Sequence, residues 1–289
     1  MPSLQQTWQE TGIAKCNKFD ITKIKSCLMF DQGAKDSRGV LYAYSLAYVV
    51  VQKPRVVVME NVANFPKDHP KDFKTIVSTL LKNGYECQAK ILNSRDWGIC
   101  QSRRRWYLVA IQKSQIRSGF ACTDFFPSNK PMRITTVKDI VCVLPKNKWQ
   151  SAPSSKLQRR NVLRAYGRCY KKGVNPFVTP IIIDVNSSPG WSSFGINECP
   201  CLTRSRCTQQ GYWCSTKGGL LDVMEMAAFQ GLVKVDWMGA GVSESQFGAC
   251  VGNAMSNHVL RHLLPKVLFI AKLITAQQLD TATLRACSL

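Results

Sequence analysis

No aspartate or glutamate stands between Ile140 and Ile183, although Lys146, Lys148, Lys156, Arg159, Arg160, Arg164, Arg168, Lys171 and Lys172 all fall in that stretch. Charge this one-sided excludes a local lattice of ion pairs and points to a polyanionic partner. The whole chain carries the same bias, with 39 Lys and Arg against 18 Asp and Glu, a net charge of +21 over 289 residues. A field of that sign draws phosphate-rich ligands, so nucleic acid heads the expected partners. Long apolar runs of the roughly eighteen residues that a membrane helix needs are missing. The opening MPSLQQTWQETGIAKC has no apolar core of signal-peptide length, so an intracellular location is expected.

Cysteine is plentiful at thirteen, yet no C-x-x-C pair occurs. Cys199-Pro-Cys201, followed by Cys207 and Cys214, lacks the paired spacing of a zinc module. Free, mostly buried thiols are expected instead. Histidine numbers only three, and His258 and His262, four apart on an apolar helix, have no third ligand near them in sequence. No metal is expected. Glycine is absent before Gly33 apart from Gly12, so no glycine-lined turn can form there.

What is present reads as alternating helices and strands. Val40 to Val51 is an apolar helix stopped by Lys53-Pro54, and the β-branched run Arg55 to Met59 follows as a buried strand. Phe73 to Lys82 is helical in period and stops at Asn83-Gly84; Tyr85 to Leu92 and Trp106 to Ile111 extend as strands. The pattern predicts an α/β fold, a doubly wound and largely parallel sheet. Prolines at 145, 153, 176, 180 and 189 predict a separate, irregular small domain within the basic stretch. Helices are expected again over Leu221 to Gln230, stopped by Gly231, and over Asn257 to Leu273, the last apolar one.

Several short motifs stand in order: D-S-R-G-V-L (36 to 41), K-P-R-V-V-V-M-E-N-V (53 to 62), N-G-Y-E-C (83 to 87), D-W-G-I-C-Q-S-R-R-R-W (96 to 106), E-M-A-A-F-Q-G-L (225 to 232) and V-G-N-A-M-S-N-H-V (251 to 259). In this order and spacing they resemble the cytosine-5 DNA methyltransferase family over about residues 33 to 268. The resemblance implies a Rossmann-like, S-adenosylmethionine-dependent methyltransferase sheet with its first strands missing. It divides the chain into a partial catalytic domain (1–112), a basic target-recognition domain (113–215) and a return to the catalytic domain (216–289).

In that family a cytosine is flipped out of the duplex, a cysteine thiolate adds to C6, and C5 attacks the methyl group of S-adenosylmethionine. Negative charge builds on the ring, so N3 must be protonated or hydrogen-bonded. The resemblance assigns that role to Glu60, whose pKa should be raised by partial burial, with Asn61 holding the loop around it. Gln101, Arg103 and Arg105 match Q-x-R-x-R, which positions the base and a phosphate; Arg105 is expected on the cytosine carbonyl oxygen because its fork of donors is rigid and permanently charged. Arg104, as a strand neighbour, should face the other way. Gly252 and Asn253 are expected at the cofactor pocket. Arg159 and Arg160 are expected on DNA phosphates, and Thr203 to Arg206 with Gln209 to Tyr212 as base-reading loops, Arg204 and Arg206 among them. Of the aromatics Trp149, Tyr166, Tyr170, Trp191 and Trp213, most should pack in a core.

The family's F-x-G-x-G strand and P-C-Q loop have no match before residue 33, so an N-terminal truncation is expected, with a second chain as one source of the missing part. Cys16 and Cys27 are the nearest nucleophile candidates, and Cys16 is the better of the two because it keeps C-x-x-F. Three readings follow: a DNA methyltransferase, nuclear if the host is eukaryotic; an inactive nucleic-acid-binding remnant; or an RNA-directed relative acting on tRNA.

Overall fold

The computed structural model describes residues 37–128, 134–142, 153–188, 190–233 and 235–287. Cys16, Cys27, Lys146, Lys148 and Trp149 lie outside the described residues. Those described fall into two compact units, one holding residues up to Pro54 with Pro66–Gly84, the other Arg55–Phe65 with Tyr85 onward.

The first unit is a pair of helices, α1 (Ser37–Gln52) and α2 (Pro70–Lys82). Leu46, Ala47 and Val49 of α1, and Ile76 and Leu80 of α2, are buried at helical spacing. Helix α1 stops where Lys53 turns left-handed (φ 45) and Pro54 removes the next donor. Pro70 opens α2 at a position where its missing N–H costs nothing.

In the second unit β1 (Val56–Val62), β2 (Tyr85–Asn93) and β3 (Arg104–Gln112) form a sheet in the order β1-β3-β2. All three expected strands are present, but the expected parallel pairing is corrected: β3 runs antiparallel to both neighbours. The cause is the short link from Asn93 to Arg104, since a parallel crossover needs a dozen or more residues and usually a helix. Strand β3 is buried from Trp106 to Ile111. Tyr107, Val109 and Ile111 on one of its faces pack against Val259, Leu263, Val267 and Ile270 of α7 (Asn257–Ile270). His258 on that helix is buried with Nδ1 3.2 Å from the Trp97 carbonyl, and His262 Nδ1 lies 2.8 Å from the His258 carbonyl.

The basic stretch is not irregular, which corrects the second expectation. It holds α3 (Lys156–Tyr170) and an antiparallel sheet of β4 (Ile181–Asp184), β5 (Phe194–Ile196), β6 (Tyr212–Cys214) and β7 (Gly219–Leu220) in the order β5-β4-β6-β7. Its prolines mislead because they sit at element boundaries: Pro153 precedes α3 and Pro180 precedes β4. Val162, Ala165, Tyr166 and Cys169 of α3 cover one face with Ile181, Ile183 and Trp213. The other face, through Ile182, Tyr212 and Cys214, meets α4 (Arg204–Thr208), α5 (Val223–Phe229) and α6 (Glu244–Asn253). Trp213 and Tyr166 are core residues, joined by a 3.2 Å hydrogen bond from Trp213 Nε1 to the Tyr166 hydroxyl, whereas Tyr170 and Trp191 are exposed. Asp222 caps α5 as an acceptor for Glu225 N–H, and Gly231 (φ 74) ends the segment in the left-handed region. Helix α8 (Ala276–Cys287), more polar in sequence, follows α7.

Candidate active site

Glu60-Asn61-Val62 lie inside the last turn of pleat of β1, not beyond the strand, and are paired with Tyr107, Trp106 and Arg105 of β3. Directly opposed residues of an antiparallel pair share a face. Glu60, Val62, Arg105 and Tyr107 therefore share one, and Asn61 with Trp106 turns to the other. Asn61 Oδ1 accepts the Val62 N–H at 2.7 Å.

Arg105 Nε stands 3.1 Å from Glu60 Oε1, with the two side chains only 16% and 15% exposed. Burial raises the Glu60 pKa above its ordinary 4.5, against the lowering pull of Arg103 and Arg105. Desolvation thus outweighs the pull of two guanidiniums, so this carboxyl takes up a proton more readily than an exposed glutamate. The neighbouring Tyr107 hydroxyl is pushed up as well, by burial first and by Glu60 second.

The arginines are aimed by a tightly stapled loop. Asn93 caps the 3-10 turn Ser94–Trp97, and Gly98 takes φ 93. Ser94 Oγ donates to the Gln101 carbonyl at 2.6 Å and accepts the Arg103 N–H at 3.1 Å. The segment after β5 is laid alongside this loop by backbone bonds between Cys100, Ser102 and Cys199. That docking brings Cys201 to the arginines: its Sγ accepts from Arg105 Nη2 at 3.3 Å and from Arg103 Nη1 at 3.6 Å. Arg103 is buried and also donates to the Leu202 carbonyl at 2.7 Å and the Gly252 carbonyl at 3.4 Å. Glu60, Arg105, Cys201, Arg103 and Gly252 form one connected group, drawn from β1, β3, the loop before α4, and α6. Arg104 is exposed, as alternation along a strand requires.

Other expected site residues sit elsewhere. Gln101 is fully buried, with Oε1 3.4 Å from Ser94 Oγ, so its side chain is enclosed by protein and not turned to DNA. Gly252 does permit close approach, but to protein: a Cβ there would lie 2.6 Å from Arg204 Cα, and one on Gly248 2.6 Å from the Cys207 carbonyl oxygen. The two glycines, one helical turn apart, let α6 lie against α4. Asn253 is exposed at the end of α6. Arg206 is held within the fold, its Nε 2.9 Å from Asp184 Oδ1 and its Nη2 3.1 Å from Ser187 Oγ. Residues 204–208 form a helix instead of a loop. Arg204 is exposed there, and Arg159 and Arg160 are exposed on α3. Cys201 and Gly248 are site and packing residues that the motifs did not mark.

The sequence profile of the C-5 cytosine-specific DNA methylase family matches residues 26–268. The chain belongs to this family. Type II methyltransferase M.Bsp6I of Bacillus sp. (strain RFL6) is 33% identical over 115 residues, 39% of this chain and 35% of that protein. M.HhaI of Haemophilus parahaemolyticus is 36% identical over 112 residues, 38% of this chain and 32% of the relative. M.HgiBI of Herpetosiphon aurantiacus is 27% identical over 231 residues, 70% of this chain and 52% of the relative. The chain thus spans about a third to a half of these relatives. Among solved structures, a Spodoptera frugiperda DNMT2 variant superposes with TM-score 0.52 at 14% identity, covering 92% of this chain and 90% of that one. Dnmt2 methyltransferase of S. pombe gives 0.50 at 17% identity, covering 81% and 74%. Such likeness shows the methyltransferase fold. Among the described residues no helix is long and apolar enough to cross a membrane.

Proposed function

We propose that this chain is the base-gripping and DNA-docking part of a cytosine-5 DNA methyltransferase. The observation that carries the reading is the Glu60–Arg105 pair, a carboxyl with a raised pKa held beside a fixed guanidinium on one face of the sheet. Addition of a thiolate to C6 of cytosine drives electrons toward N3, and a carboxyl that retains its proton at N3 stabilises the adduct. Arg105 donates one N–H each to Glu60, the Arg104 carbonyl and Cys201, and of its five donors the remaining two, one on each Nη, would serve the ring's carbonyl oxygen. Arg103 acts behind it as a positioning residue, tying the strand to Leu202 and Gly252. Residues 113–215 act as the target-recognition part.

S-adenosylmethionine is the methyl donor that membership of the family implies. At Gly252, one of the two residues assigned to it, the backbone of Thr203 and Arg204 stands where a Cβ would be, and no step assigned to this chain's residues runs through the donor. DNA is the substrate favoured over RNA by the family match, and a nuclear setting finds no support in sequence relatives drawn from bacteria.

The test is methyl incorporation from tritiated S-adenosylmethionine into duplex DNA by the purified protein. Glu60→Gln should lower turnover by about 10²- to 10⁴-fold while leaving duplex affinity within a few-fold, because affinity comes from the phosphate backbone. Turnover near the parent level in Glu60→Gln would refute the assignment.

A further inference from the structure

Helix α3 buries Val162, Ala165, Tyr166 and Cys169 against the second sheet. At 3.6 residues per turn, the line diametrically opposite that face runs through Lys156, Arg160, Arg164 and Arg168. All four are exposed, and Lys171 and Lys172 continue the exposed basic surface beyond the helix end. No acidic residue lies anywhere on α3 or in the loops that flank it up to β4. With a rise of 1.5 Å per residue the ridge is about 18 Å long. A strand of duplex DNA presents one phosphate per 3.4 Å of axis but winds through about half a turn over the length of the ridge, so the ridge meets about three of them on its side.

Gly167 is a second, independent feature of the same face. It lies inside the helix between Arg164 and Arg168, it is exposed, and a Cβ built on it would meet nothing within 4 Å. A glycine within a helix costs roughly 0.5–1 kcal/mol against alanine, and no packing neighbour among the described residues requires it. What it leaves is a bare gap in the ridge where a partner's backbone can come close.

We propose that the outer ridge of α3 is a docking rail for the phosphate backbone of one strand of duplex DNA, a contact that positions the duplex without reading its sequence. The occupant rests on the function proposed above, in which the target cytosine lies in duplex DNA. An evenly spaced, single-signed row of cations that winds gently about the helix complements the evenly spaced, winding row of phosphates, whereas an acidic protein surface offers charges of irregular spacing.

Binding of the full 289-residue chain to a fluorescent 24-base-pair duplex, followed by anisotropy from 50 to 200 mM NaCl, tests the rail. Each phosphate contact contributes about 0.9 to the slope of log affinity against log salt, so Arg160→Gln, Arg164→Gln and Arg168→Gln combined should flatten it by about 2.7. Over that fourfold salt range the parent chain then loses roughly fortyfold more affinity than the variant. The pair Lys156→Gln with Arg160→Gln, which leaves the middle of the helix intact, should remove about 1.8. Lysine at positions 160, 164 and 168 should keep the slope, and circular dichroism melts confirm that each variant is folded. Steep salt dependence in the parent chain with an unchanged slope in both glutamine variants overturns the rail while sparing the proposed function. Duplex binding without salt dependence in the parent chain overturns both. Equal affinity and equal flattening on an RNA duplex of the same length overturns the choice of DNA.

Discussion

Glu60 owes its properties to the position where β1 ends its pairing with β3, beside one guanidinium in contact and a second close behind. Burial raises its pKa and both arginines lower it. Replacing Arg105 with methionine removes a lowering influence, so the Glu60 carboxyl should titrate higher still. Carbon-13 shifts of labelled glutamate, followed against pH, report this directly; a Glu60 midpoint at or below 4.5 would mean that the arginines win. The sign for stability follows. Between the ordinary value and the raised one the folded chain holds a proton that the unfolded chain has released. Stability therefore falls as pH rises through that window, relative to Glu60→Gln, which cannot titrate. At this scale the sequence was informative about residue type. A carboxylate after a buried β-branched run, and arginines alternating into the next strand, are local patterns that survive folding. Cys201 was not legible, because it reaches Arg103 and Arg105 only through the pairing of Cys199 with the Cys100–Ser102 loop, a contact across about a hundred residues that no local pattern encodes.

The element that organises the site's far side is the α4–α6 contact. Gly248 and Gly252 of α6 lie against backbone, at the Cys207 carbonyl and at Arg204, so an added methyl has no flexible side chain to push aside. Gly252→Ala should therefore cost about 3 kcal/mol, seen as a lower urea midpoint, and should displace the Gly252 carbonyl that Arg103 contacts. A Gly252→Ala protein as stable as its parent would show that α6 can slide. The same elements explain which parts of the fold could be read in advance. Helices α1, α2 and α5 and the strands of the first sheet follow from apolar period and from stop signals at Pro54, Gly84 and Gly231. Strand direction was missed because it depends on the length of the β2–β3 link, and the second sheet because β5, β6 and β7 are each three residues or fewer, too short for alternation to register. Gly252 was read as a ligand glycine because a sequence shows that space is needed but not what fills it.

For the molecule as a whole, +21 at neutral pH sets two opposite responses to salt. Like charges repel within the folded chain, and this repulsion is relieved when the screening length shrinks from about 30 Å at 0.01 M to 10 Å at 0.1 M. Thermal stability of the free chain should therefore rise by a few degrees from 10 to 300 mM NaCl, while duplex affinity falls over the same range. Chloride is the right anion for this measurement, since sulfate also stabilises proteins through exclusion from their surface. Neutralising Arg160, Arg164 and Arg168 takes charge from the most one-sided stretch, so the salt-induced gain should shrink together with the salt slope of DNA binding. Duplex DNA added at low salt should in turn raise the melting temperature, as any ligand that prefers the folded state does, and more so for the parent than for that variant. A melting temperature that is flat or falling with NaCl would show that the positive charges are already compensated within the fold, and an unaltered DNA-induced gain in the variant would place the phosphate contacts away from α3.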